Sequence, residues 1–178
     1  MVPPVTTIKG VSVISIVAWS NSGKTTLFEK VVSRLHKQNI KVGVIKHHSH
    51  DTDIDVKGKD SWRYSQAGAS PVVISSPTQF SVIRQRPEKE ATLVELCEEI
   101  ADEVDLIITE GYKYEAMSKI EFSRVAHNPK PVEEGEQLIA LISDNDERKR
   151  AYEKEGIPCF DLDDVDGVSN FLLQFARH

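Results

Sequence analysis

Ala18-Trp19-Ser20-Asn21-Ser22-Gly23-Lys24-Thr25-Thr26 decides the reading of this chain. It lies between a strand-like apolar run, Val11 to Val17, and a helix-like segment. That is the position of a phosphate-gripping loop. Successive backbone N–H groups curl around a β-phosphate there, and the next helix presents its positive dipole end to the anion. The lysine reaches the β/γ oxygens and the following hydroxyl binds Mg²⁺. Gly23 is expected to keep a side chain out of the backbone's approach to phosphate.

The Walker A pattern G-x-x-x-x-G-K-[ST] asks for glycine where Ala18 stands, so the flanks carry the reading. Upstream, Val11, Val13, Ile14, Ile16 and Val17 form the nearly continuous apolar run of a strand buried on both faces. Downstream, Leu27, Phe28, Val31, Val32 and Leu35 recur with the period of an amphipathic helix. Strand, loop and helix arrive in the required order.

At 178 residues the chain is long enough for a full core, and it reads as a single P-loop nucleotide-binding domain over residues 1–178, with 1–10 as an N-terminal extension. The formal net charge of −6 and the scattered Lys and Arg argue against a general nucleic-acid or anionic-membrane binder. Cys97 and Cys159 make no C-x-x-C. Cys97 shares a helical face with Leu93, Leu96, Ile100 and Val104, which predicts a buried thiol. Such cysteine usage fits a reducing compartment, and the N-terminal apolar stretch is too short for a membrane span. A cytoplasmic protein is the expectation.

Strand-like and helix-like segments alternate, which predicts an α/β fold with a mostly parallel central sheet and helices on both faces. Strands are expected at Lys41–Lys46, Asp105–Thr109, Leu138–Ile142 and Ile157–Leu162, and a hairpin at Pro71–Ser75 and Gln79–Gln85. Ser118–Val125 alternates as an edge strand does, and His127–Gly135 reads as a loop. Helices are expected at Asp60–Ala67 (Asp60 as its N-cap), Ala91–Glu103, Asp146–Lys154 and from Val165 to Phe175.

Parallel strands carry their ligands at their C-terminal ends. At about 3.3 Å per residue, Asp105 and Glu110 lie roughly 17 Å apart, on opposite edges of the sheet. Only Glu110 reaches the nucleotide side, as a Mg²⁺ ligand through water or a group orienting water. Gly111 would let backbone approach a terminal phosphate. The loop from His47 to Lys59 concentrates histidines and aspartates, and reads as a switch loop in which one carboxylate meets Mg²⁺ through water. Zinc is the alternative there, although no cysteine is near. Asp144, after a buried strand, either reads the donor edge of guanine or caps the next helix.

Taken together, Ala18 to Thr26, Lys46-His47, the run from Asp55 to Ser61 (Asp-x-x-Gly-Lys-Asp-Ser), Ala67-Gly68-Ala69 and Glu110-Gly111-Tyr112-Lys113 resemble the MobB family, accessory proteins of molybdopterin-guanine dinucleotide biosynthesis. The likeness runs from about Val11 to Ala126, and Ala18 in place of glycine is usual in that family's loop. The resemblance implies the three-layer P-loop NTPase fold, GTP binding with Mg²⁺, at most slow hydrolysis, and a homodimer. It also implies partnership with a MobA-type guanylyltransferase acting on molybdopterin. Carried over by position, Ser20, Asn21, Ser22, Gly23, Lys24, Thr25 and Thr26 form the phosphate site. Thr25 binds Mg²⁺, Lys24 and Glu110 stand at the γ-phosphate, and Asp55 belongs to the switch or cofactor-facing loop, also toward the metal. A P-loop small-molecule kinase is the competing reading; for its transition-state charge the arginines near in sequence are Arg63, Arg84 and Arg86. A dimeric scaffold without nucleotide is a third.

Overall fold

A computed structural model describes residues 4–48, 54–86, 88–128, 130–132 and 137–177. Its contacts divide into two compact units, Met1–His47 with Leu93–His178, and His48–Thr92.

The larger unit is built on β2 (Val11–Ala18), in which every residue but Ser12 is buried. A seven-stranded sheet forms around it in the order β3 (Val42–Lys46), β6 (Leu106–Glu110), β2, β7 (Ser118–Ser123), β8 (Leu138–Ser143), β9 (Cys159–Phe160). Neighbours in that order are parallel. β1 (Thr7–Ile8) adds to β2 antiparallel. The intervening Lys9 and Gly10 have φ of 48° and 77°, the two left-handed positions of a tight hairpin turn. The Thr6 N–H donates to Ser118 Oγ at 3.0 Å, so residues expected to be a bare extension are stitched to the sheet.

On one face lie α1 (Lys24–Lys37) and α5 (Val165–Leu173), whose Val31, Leu35, Phe171 and Leu172 pack against Ile14, Ile16, Ile108 and Ile120. Arg34 of α1 pairs with Asp166 of α5 at 2.7 Å. The other face takes α3 (Leu93–Ile100) and a 3₁₀ turn, Ala101–Glu103, which set Leu93, Cys97 and Ala101 against Val11, Val13, Ile45 and Ile107. This is the expected three-layer arrangement, with helices on both faces of a mostly parallel sheet. Burial pushes the Cys97 thiol up to about 11, as its place in the core requires.

β7 departs from expectation. It is no edge strand; it lies between β2 and β8 with all six residues buried. Its polar alternation is misleading because Glu121 is neutralised internally. Both carboxylate oxygens accept from the guanidinium of Arg148 on α4 (Asp146–Lys154), at 2.6 and 2.7 Å. Burial works against the Arg148 charge, yet the hydrogen bonds to Glu121 and Tyr152 raise its pKa. Of the predicted loop at residues 127–135, residues 129 and 133–135 lie outside the described residues.

The smaller unit holds α2 (Asp60–Gln66) and the hairpin of β4 (Val72–Ser75) and β5 (Phe80–Ile83), paired from Val72–Ile83 to Ser75–Phe80. The N-cap of α2 is Lys59, not Asp60, which instead places its carboxylate in the first turn, where the helix dipole favours it. Gly68 ends the helix at φ 99°. Among the described residues no helix is long and apolar enough to cross a membrane.

Candidate functional site

Where β2 ends, the main chain turns through two left-handed positions, Asn21 at φ 61° and Gly23 at φ 94°, before α1 starts at Lys24. Alternating handedness of this kind forms an anion-binding concavity of main-chain N–H groups. Gly23 is the N-cap and supplies no side-chain acceptor, and the first turn of α1 has no acidic residue. The Thr26 N–H donates back to the Gly23 carbonyl at 3.2 Å, which leaves the Lys24 and Thr25 N–H groups to a ligand. Ser22 is buried, and its Oγ has no hydrogen-bond partner among the described residues. A buried hydroxyl without a partner is costly, and here it sits inside the loop that would enclose a phosphate. Ser20, Asn21, Thr25 and Thr26 are exposed around it.

Two local features call for glycine at position 23, its φ of 94° and a neighbouring side chain. A Cβ there would stand 3.3 Å from Nη2 of Arg124, so the open side of Gly23 is filled by a guanidinium.

On the β6 flank, Lys24 makes an ion pair with Glu110 Oε1, and Lys46 Nζ lies 3.9 Å from the same oxygen. The register places Glu110 between Lys46 of β3 and Ile16 of β2, at the C-terminal edge as expected. Asp105 is indeed at the other end, accepting from the Lys41 N–H at 2.8 Å. Gly111 has φ 100°, and a Cβ on it would meet the carbonyl oxygen of His47 at 2.9 Å. Gly111 thus makes a close approach to His47. The His47 N–H donates to the Glu110 carbonyl at 2.9 Å, and the His47 and Tyr112 rings lie 5.0 Å apart.

A cleft of about 500 Å³ opens from Lys24, Thr25 and Glu110 and runs along α1 past Phe28, Val32 and Val44. Its floor is apolar, so phosphate oxygens belong at its head, beside the loop.

On the β7 flank, Trp19 Nε1 donates to the Lys130 carbonyl at 2.9 Å, and Lys113 Nζ lies 4.7 Å from the centroid of the Trp19 ring. Asp144 Oδ1 accepts from the Val125 N–H at 2.8 Å. Asp144 does not cap α4; that is done by Asn145, which accepts from the Arg148 N–H at 3.0 Å. Arg124 was missed by sequence reasoning. The available signal was its place just beyond a strand beside the loop strand, legible only once β7 is known to be interior.

Asp55 belongs to the smaller unit, where Oδ1 accepts from the Val56 N–H at 2.7 Å and Oδ2 is buried without a partner among the described residues. Of the loop from His47, residues 49–53 lie outside the described residues. No group of three or more His, Cys, Asp or Glu suited to a metal occurs among the described residues. A divalent cation here would need oxygens from a ligand beside those of Thr25 and Glu110. Both are hard oxygen donors, which suit Mg²⁺ when phosphates complete the shell.

Comparison with known proteins agrees with this architecture. The family described as "MobB: Molybdopterin guanine dinucleotide synthesis protein B" matches residues 13–144. A Haemophilus influenzae protein named molybdopterin-guanine dinucleotide biosynthesis adapter protein is 34% identical over 170 residues, covering 94% of this chain and 91% of its own. The Escherichia coli protein of the same name is 30% identical over 171 residues, 94% of each chain. The crystal structure of Bacillus subtilis MobB superposes with a TM-score of 0.71 at 27% identity, covering 93% of this chain and 98% of that one.

Proposed function

The chain belongs to the MobB family, and on that premise we propose that it is a GTP-binding adapter in the biosynthesis of molybdopterin guanine dinucleotide. The observation that carries the nucleotide reading is the loop at Ser20–Thr26: an uncapped α1 N-terminus around the unpartnered, buried Ser22 Oγ, with Lys24 at its edge. That arrangement suits a polyphosphate, and the names of the relatives point to a guanine nucleotide pathway.

The Lys24–Glu110 pair is the resting arrangement. When the nucleotide enters, Lys24 exchanges the carboxylate for the β- and γ-phosphate oxygens. Thr25 Oγ1 and, through water, Glu110 are the residues to hold Mg²⁺, which neutralises phosphate charge. Loop donors orient the polyphosphate and exclude water, and hydrolysis is slow at most. Asp144 is the candidate for reading guanine through its second carboxylate oxygen, since Oδ1 is engaged by Val125.

The working form is a cytoplasmic homodimer acting as one nucleotide-binding domain per chain, and its partner is a MobA-type guanylyltransferase with molybdopterin as the shared cargo. Calorimetric titration with GTP, ATP and their diphosphates, with and without Mg²⁺, tests the reading. Mg²⁺-dependent affinity for GTP well above that for ATP is the expected result. Equal affinity for the two nucleotides counts against it, and a substrate-dependent burst of turnover would move the assignment to a kinase.

A further inference from the structure

We propose that Arg124 is a nucleotide-binding residue that meets the α-phosphate, on the flank of the loop opposite Lys24. The inference deepens the nucleotide reading above and rests on it.

Three observations converge on the position of this side chain. Strand register sets Phe122 beside Ala18, so Arg124, two residues on, emerges at the height of the loop. Its guanidinium packs against the loop itself, with Nη2 3.3 Å and Cζ 3.9 Å from where a Cβ on Gly23 would stand. No described residue accepts a hydrogen bond from that guanidinium. Main-chain bonds then fix where the side chain starts. The Val125 N–H is held by Asp144 Oδ1 at 2.8 Å, and the Arg124 carbonyl accepts from the N–H groups of His127 and Asn128, both at 3.0 Å.

Sheet order tells which phosphate it serves. β6 lies on one side of β2 and β7 on the other. Lys24 turns to the β6 side, where it meets Glu110, so the metal and the terminal phosphate belong there. The nucleoside end of the same polyanion must then run out over β7 and β8. The first phosphate on that path is the α-phosphate, and the first cation is Arg124. A planar fork of N–H donors suits its non-bridging oxygens.

The α-phosphate is common to diphosphate and triphosphate, which gives the test its discrimination. Titration of the full chain with GTP and GDP should show Arg124→Gln weakening both by the same factor, about 10- to 100-fold, the loss of one charge-assisted contact. The ratio of GTP to GDP affinity and the Mg²⁺ dependence should not move. Arg124→Lys, which keeps the charge and loses the fork, should recover part of the affinity. Arg124 is exposed, so melting temperatures of both variants should match that of the parent.

Unchanged affinity in Arg124→Gln overturns the proposal. So does a loss confined to GTP, which would put the guanidinium at the γ-phosphate, or a fall in turnover at constant affinity. A parent protein that binds neither nucleotide overturns the nucleotide reading itself, whereas a parent that binds both with an indifferent Arg124→Gln overturns only this assignment.

Discussion

Lys24 and Glu110, brought together from the start of α1 and the end of β6, form an ion pair at the mouth of the phosphate loop. The carboxylate is thus both a holder for the lysine and a competitor with the ligand for it. Replacing Lys24 by Ala should lower GTP affinity about 100-fold or more, because a charge-assisted contact to phosphate is lost. Glu110→Gln should behave differently. Freed from its partner, Lys24 would keep or slightly improve affinity for GDP without Mg²⁺, by no more than about fivefold for so small a pair energy. Mg²⁺-dependent binding of GTP should fall. Parallel titrations with and without the metal separate the two effects, and equal losses in both would contradict the exchange.

Glu121 is buried completely and tied to Arg148 through both oxygens, while Oε1 also accepts from the Val132 N–H at 3.1 Å. Removing one member of such a pair leaves the other charge stranded, at a cost of about 3–5 kcal/mol. Arg148→Ala should therefore lower the thermal midpoint by about 10 °C. The double replacement Glu121→Met with Arg148→Met should recover most of that loss, because no charge remains uncompensated. Denaturant unfolding of the two single variants and the double variant measures the coupling directly.

That pair also explains where the sequence misleads. An alternation of Ser118, Lys119, Glu121 and Ser123 with apolar residues looks like a half-solvated edge, yet its polar side is buried. Nothing local to β7 reveals that Arg148, in a helix whose residues are polar or charged but for Ala151 and Tyr152, reaches back to it. Glu110 was legible because the apolar run Leu106–Ile108 carries it to the ligand edge of a parallel strand. Arg124 was not, since its relevance depends on strand order, which composition and periodicity leave open. The glycines fell in between. Both Gly23 and Gly111 mark close approaches, but the groups approaching are Arg124 and His47, which only the folded chain brings near.

Gly111 should accordingly tolerate little. Its φ of 100° is disfavoured for any residue with a side chain, and an alanine methyl would sit 2.9 Å from a main-chain oxygen that cannot swing aside. Conformational strain alone is worth about 1–2 kcal/mol. With the His47 clash added, Gly111→Ala should cost about 2–4 kcal/mol of stability. The strain falls on the residue next to Glu110, so Mg²⁺-dependent GTP affinity should drop as well. Urea unfolding and calorimetry on the same variant test both parts, and a change of less than about 0.5 kcal/mol would show that β3 and β6 yield more easily than their register suggests.

Cys97 makes stability sensitive to alkaline pH. Burial raises its pKa from 9.0 to about 11, so the folded state holds its proton across a range in which the unfolded chain releases it. The sign follows from proton counting. Below pH 9 both states are protonated, and the contribution of the buried thiol is fully present. Between pH 9 and 11 the unfolded state loses a proton that the native state keeps, so the unfolding free energy falls as pH rises. A shift of that size corresponds to about 3 kcal/mol across the window. Cys97→Ala should be somewhat less stable at neutral pH, through the lost sulfur contacts, yet its stability should decline less steeply from pH 9 to 11. Because lysines and tyrosines titrate in both proteins, the difference between the two stability-versus-pH curves is the quantity to measure. Parallel curves would mean that the thiol is exposed in the folded state, and a fast reaction of Cys97 with a maleimide under native conditions would show the same thing independently.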